Sequence, residues 1–269
     1  MKSKNTSDFI KNKDKSFILN ITVSIDTIKH EYEHVLDHAV ADFSSKGFRK
    51  GKVPRSVVAS QLSTQAVIEE VMSHSVSHIY ADKIKEHDLH PIVQPQIKIL
   101  NPPVTLDKEW FVEITGSELP EIILDDKYLV EVKKINASKD NENQKLNSIL
   151  ESLLKHSQVE LPDILIKADV DNKLAQLVDQ TKDAGITVKQ YLQSKNTTLE
   201  DYQKDLEVKV RNEWITNLAI NEIALKNKLS ITAEEVKALT DKNPELAKNT
   251  NLVYYLLTQQ KVFDFLKKI

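Results

Sequence analysis

The chain has no cysteine, four glycines and eight prolines in 269 residues. Without cysteine there is no disulfide scaffold, no Cys-ligated zinc or iron–sulfur site and no thiol nucleophile. So few glycines and prolines exclude collagen-like and low-complexity material, and they argue against a many-stranded barrel, which needs frequent turn glycines. Long apolar runs are missing as well. Stretches such as Val253 to Leu257 fall far short of the roughly 20 residues a spanning helix needs. The lysine-rich segment Met1 to Phe17 lacks the apolar core and small-residue cleavage site of a signal peptide, so a cytoplasmic protein is expected. There is also no global excess of one charge. Net charge is −3, with 15 basic and 15 acidic residues in 1–115 and 22 against 25 in the remainder. Anion binding must therefore come from local clustering.

What is present is a two-part pattern of apolar spacing. After a polar leader over 1–15, Phe17, Leu19, Ile21, Val23 and Ile25 alternate with mostly polar neighbours, which predicts a half-buried strand. Asp26 is the expected helix N-cap, followed by Ile28, Tyr32, Val35, Leu36, Ala39 and Phe43 at helical spacing. A short helix from Ser56 and a longer one from Thr64 to about Glu86 follow. Pro91, Pro95, Pro102 and Pro103 predict an extended, edge-like segment, and Trp110 to Thr115 a further strand, with Gly116 as a turn residue. These elements make an α+β module of antiparallel strands and two long helices over residues 1–115. Residues 116–143 read as an extended connector, including Tyr128 to Val132, and a linker from Asn136 to Asn143. Residues 144–269 read as an all-α domain, with helices expected at 145–156, 162–184, 187–194, 198–228, 232–241 and 250–268. Pro162 suits a first-turn position and Gly185 a helix end.

One segment concentrates unusual chemistry. Residues 46–55 read Lys-Gly-Phe-Arg-Lys-Gly-Lys-Val-Pro-Arg, with five basic residues, no acidic one, two of the four glycines and two of the three arginines. Gly47 and Gly51 permit positive φ, so a short loop can turn tightly, and Pro54 stiffens its exit. Phe48 sits among charges. A tip holding one aromatic inside a basic ring suits docking to RNA phosphates beside a protein surface: the cations supply salt-sensitive contacts and the aromatic a desolvated anchor. The plainer reading is a solvated basic turn whose Phe48 folds back into the core.

The segment Gly47-Phe48-Arg49-Lys50-Gly51-Lys52-Val53-Pro54 resembles the G-F-R-x-G-K-x-P ribosome-binding signature of the trigger factor family, bacterial ribosome-associated chaperones, with all six fixed positions present. It lies where that family has it, between two long helices after an N-terminal strand and helix. Glu118-Leu-Pro-Glu-Ile122 is similar to the family's interdomain connector, and Val159-Glu-Leu-Pro162 resembles the start of its C-terminal domain. The resemblance is strong over 17–131 and weaker in the helices. It implies an elongated multi-domain chain acting as an ATP-independent holdase without a cofactor. Gly47, Phe48, Arg49, Lys50, Gly51, Lys52, Pro54 and Arg55 would meet ribosomal protein and rRNA at the tunnel exit of the large subunit. The other implied partners are unfolded nascent polypeptides and, off the ribosome, a second copy of the chain; no membrane is involved. Full-length members insert an FKBP-like prolyl isomerase domain between connector and helical domain. Here only Asn136–Asn143 is available for it, so no enzyme activity is expected.

A competing motif is His30-Glu31-Tyr32-Glu33-His34, which fits H-E-x-x-H, the zinc-hydrolase pattern in which two helical histidines bind the metal and the glutamate is general base. At about 100° per residue the apolar stripe runs through Ile28, Tyr32, Val35 and Ala39, which leaves His30, His34 and His38 facing water. Glu33 puts a charge at an inner position, and no third ligand in a Gly-turn context follows. A solvated face with no metal is the expectation. His74 and His78, flanked by serines, read as a second polar face. In the helical part, Tyr202, Leu206, Val210, Trp214 and Leu218 recur at spacing four, and of this helix Leu206, Val210, Ile215 and Leu218 are expected in the core. A surplus of aromatics, Tyr191, Tyr202, Trp214, Tyr254, Tyr255, Phe263 and Phe265, leaves material for an open cradle, although no individual client-binding residue can be named.

Overall fold

The computed structural model describes residues 8–45 and 47–269. The chain divides into two compact units, Met1–Leu119 and Pro120–Ile269. The leader expected over 1–15 lies outside the described residues as far as residue 7. Beyond that point it is not featureless, because Phe9–Lys11 forms a strand, β1.

In the first unit β2 (Ser16–Val23) follows the expected alternation, with Phe17, Leu19, Ile21 and Val23 all buried. It pairs antiparallel with β4 (Trp110–Ser117), in a register that sets Phe17 opposite Gly116 and Val23 opposite Trp110. β1 and β3 (Gln96–Ile99) are the outer strands of a sheet ordered β1-β2-β4-β3, so the proline-rich segment does supply an edge. Two helices, α1 (Ile25–Asp42) and α3 (Thr64–Glu86), pack Ile28, Val35, Val67, Val71 and Val76 onto the apolar side of the sheet. The buried Trp110 indole donates to the Thr105 carbonyl at 2.8 Å, so its one polar atom is satisfied.

Two local expectations fail here. The N-cap of α1 is Ser24, whose hydroxyl accepts from the Thr27 amide at 3.2 Å. Asp26 instead sits in the first turn, where its charge suits the positive end of the helix. Ile25 therefore opens the helix rather than extending the strand. Gly116 is not a turn residue either. It lies inside β4, and the missing side chain makes room for the Phe17 ring: a Cβ at 116 would stand 2.8 Å from Phe17 Cε2 and closer still to Cζ.

The second unit is helical: α4 (Lys127–Asn136), α5 (Glu142–Lys155), α6 (Asp163–Asp183), α7 (Val188–Ser194), α8 (Leu199–Lys226), α9 (Ala233–Lys242) and α10 (Thr250–Leu266). A 3-10 turn spans Pro244–Lys248. The short strands β5 (Ile123–Leu124) and β6 (Ser157–Gln158) pair antiparallel. The expected extended run at Tyr128–Val132 is helical. Tyr128 and Val132 are four apart and both buried, in one core with Ile149, Leu153, Ile220 and Val262, and that tertiary burial overrides the strand-like composition. The linker shrinks to residues 137–141, because Asn141 and Gln144 form a reciprocal capping box that starts α5 early. Elsewhere the helices stand close to expectation, with Pro162 as the N-cap of α6 and Gly185 at φ +70° just past its end. Leu206 and Val210 of α8 pack with Ile166 and Val170 of α6 in a second core. Trp214 beside it donates to Asp169 Oδ2 at 2.7 Å.

Candidate functional site

The basic loop begins where α1 ends and closes where α2 (Arg55–Gln61) begins. Gly47 and Gly51 have φ of +93° and +74°. At Gly51 the constraint is double, since a Cβ would also come within 3.2 Å of the Ala41 carbonyl oxygen. Three backbone bonds define the turn: Phe48 N–H to Ser45 O at 3.0 Å, Lys52 N–H to Arg49 O at 2.9 Å and Gly51 N–H to Phe43 O at 3.2 Å. Pro54 then caps α2 through its carbonyl, which accepts from the Val57 and Val58 amides.

The loop has its own small core. Val53, 3% exposed, packs with Leu36 and Val58, and Phe43 and Val57 rest against them. Phe48 takes no part in it and remains 48% exposed. The reading in which Phe48 folds back is thus excluded, and Val53, the unremarkable residue of the motif, is the anchor. Its apolar side chain among lysines was the available signal.

The cations divide by role. Arg55 turns back onto α1, with Nη2 2.6 Å from Glu33 Oε2, 3.2 Å from Asp37 Oδ1 and 2.9 Å from the Glu33 carbonyl. Lys50 Nζ lies 2.9 Å from Asp42 Oδ1. That hydrogen bond and the lysine charge hold the Asp42 carboxyl below its ordinary value. Arg49 and Lys52 are exposed and have no ion-pair partner among the described residues. Lys46 lies outside the described residues. The loop that carries Phe48 therefore presents two cations without counter-charge among the described residues, while the other two tie it to α1.

The histidines of the H-E-x-x-H segment are exposed as expected, the His30 side chain at 80%. The structure does not bring His30 and His34 together with a third ligand. It brings Glu31 and His34 of α1 to His74 of α3. Sequence spacing treated the two helices separately and could not show that meeting.

In the second unit α5 carries two apolar stripes. Ile149 and Leu153 enter the core, while Leu146, Leu150 and Leu154, at spacing four, line an open groove of about 690 Å³. Val208 of α8 and Tyr255 and Phe263 of α10 extend its apolar wall, and the charged Asp205, Lys209 and Glu213 line it as well, beside polar groups that include Asn217 and Gln259. Beside it α10 exposes Leu252, Tyr254 and Leu256. Of the aromatic surplus, Tyr191 and Tyr202 pack edge-to-face with each other. Tyr254 and Tyr255 are the ones left facing solvent.

Comparison with known proteins agrees across the chain. The family model described as "Bacterial trigger factor protein (TF)" matches residues 7–149, and that described as "Bacterial trigger factor protein (TF) C-terminus" matches residues 129–268. Trigger factor of Staphylococcus epidermidis is 23% identical over 164 residues, and that of Staphylococcus aureus strain JH9 24%. Each alignment covers 61% of this chain and 36% of the relative, so the matched part spans about a third of the curated relatives' length. A solved structure described as "Promiscuous Substrate Recognition in Folding and Assembly Activities of the Trigger Factor Chaperone" superposes with a TM-score of 0.63 over 96% of this chain and 98% of that one, at 12% identity, and so shares the fold. With two family models each matching more than half of its residues, the chain belongs to the bacterial trigger factor family.

Proposed function

We propose that this chain is an ATP-independent chaperone that docks near the exit tunnel of the large ribosomal subunit and holds nascent polypeptides as they emerge. The observation that carries the reading is Phe48, exposed at 48% on a glycine-hinged loop that also carries Arg49 and Lys52, both exposed and without an ion-pair partner among the described residues. A large aromatic left in water beside unpaired cations is what a desolvating contact flanked by phosphates requires. Lys50 and Arg55 contribute by holding the loop in shape, and Gly47, Gly51 and Pro54 by fixing its backbone. Partners are rRNA and ribosomal protein at the tunnel exit, unfolded chains and, off the ribosome, a second copy. The working compartment is the cytoplasm.

The client surface is assigned to the groove between α5, α8 and α10 and the adjoining face of α10. Open apolar surface broken by polar groups covers many sequences weakly, as a holdase must. We infer no prolyl isomerase activity. What supports this is the five-residue turn 137–141, which joins two helices buried in one core and leaves no room for an inserted domain there. Nothing favours a hydrolase, because Glu31, the general base of that reading, stands among potential metal ligands while His30 points to solvent.

Sedimentation of the purified chain with 70S ribosomes, over a range of salt, tests the docking half. Binding that weakens steeply as salt rises is expected. No co-sedimentation at low salt would contradict it.

A further inference from the structure

We propose that Glu31, His34 and His74 form a binding site for a divalent transition-metal ion of the zinc class, which clips α1 to α3. One donor atom from each residue lies within 4.8 Å of the others. A tetrahedral ion with ligands at about 2.0–2.1 Å holds its donors roughly 3.4 Å apart, a closure within the reach of side-chain rotation. Glu31 and His34 are three apart on α1 and share a face; His74 comes across from α3. Two imidazoles and a carboxylate suit zinc, nickel or copper and not magnesium or calcium.

Three further features are those of a metal site. First, the Glu31 side chain is only 13% exposed, yet the ionisable groups beside it among the described residues are two imidazoles, His30 Nδ1 at 3.4 Å and His74 Nδ1 at 3.7 Å. No lysine or arginine is paired with this half-enclosed carboxylate there. Second, His74 faces Glu31 with Nδ1 and turns Nε2 to Glu70, whose Oε1 is 3.2 Å away. A carboxylate behind the ligating imidazole fixes its tautomer and raises its basicity, as outer partners of metal-bound histidines do. Third, the His34 and His74 rings are neighbours across the two helices, 6.0 Å apart centroid to centroid.

The role is structural. Glu31 is a ligand in this set and is not free to act as a base, and His30 is outside it. α1 runs directly into the basic loop, so an ion joining α1 to α3 would stiffen the helix on which that loop is mounted.

The test uses the full chain, stripped with a chelator and titrated calorimetrically with ZnCl2 alone, with thermal unfolding followed in parallel. One Zn2+ per chain is expected, with an unfolding midpoint raised by about 5 °C or more at saturation. His34→Ala and His74→Ala should each weaken binding at least about tenfold and abolish the midpoint shift, whereas His30→Ala should change neither. His34 is exposed, so its variant keeps the test valid should His74→Ala fold poorly. The proposal is overturned by absence of binding, by binding that survives His34→Ala, or by equal loss in His30→Ala.

Discussion

Lys50 reaches back across the turn to place Nζ 2.9 Å from Asp42 Oδ1, tying the outer part of the basic loop to the last residue of α1. The hydrogen bond and then the charge of Lys50 keep the Asp42 carboxyl below its ordinary value of 3.8. A carboxyl lowered in the folded state adds stability above its unfolded value and loses that contribution as pH falls through the lowered one. The tie should therefore be intact at neutral pH and open only in acid, below the ordinary carboxylate range. Side-chain NMR titration of Asp42 should give a low midpoint that rises into the ordinary range in Lys50→Ala. Equal midpoints in the two proteins would rule out the tie.

Gly116→Ala is expected to destabilise the first unit. Its Cβ would collide with the Phe17 ring, which is fully buried and cannot swing aside. Overpacking of this kind costs about 1–3 kcal/mol. Thermal unfolding followed by circular dichroism reads it directly, and an unaltered midpoint would mean that the Phe17–Gly116 packing is not as described.

The client assignment predicts a surface effect without a stability effect. Leu252, Tyr254 and Leu256 are 38%, 46% and 36% exposed, so replacing all three with alanine removes apolar surface while leaving the α10 core residues Val253 and Leu257 in place. The variant should keep its far-ultraviolet spectrum but need a larger molar excess to suppress aggregation of an unfolded protein without ATP. Undiminished suppression would move the client surface elsewhere.

Much of this was legible in the sequence because periodicity reports burial. The alternation from Phe17 to Val23 gave the central strand, and the spacing-four stripe of α8 gave a core helix. The failures share a cause, tertiary contacts invisible to local spacing. Tyr128–Val132 is helical because both ends are buried among distant helices. Gly116 is a strand residue because Phe17 needs its space. The loop motif was visible in full, but its division of labour was not: Arg55 and Lys50 are paired to acids on α1, and only the fold shows which cations remain unpaired. Likewise Glu31 and His74 are 43 positions apart, and the packing of α1 on α3 is what brings them together.

The central claim is that the exposed Phe48–Arg49 tip is the docking element. Its most direct test is the ribosome affinity of Phe48→Ala/Arg49→Ala beside the unaltered chain, measured by co-sedimentation at several salt concentrations. Loss of a buried aromatic anchor alone costs about 2 kcal/mol or more, roughly 30-fold in Kd. Loss of one phosphate contact should also flatten the salt dependence by about 0.7–0.9 in log–log slope. The account predicts a folded double variant that no longer sediments with ribosomes at moderate salt. Co-sedimentation equal to that of the unaltered chain, with the same salt slope, would contradict it.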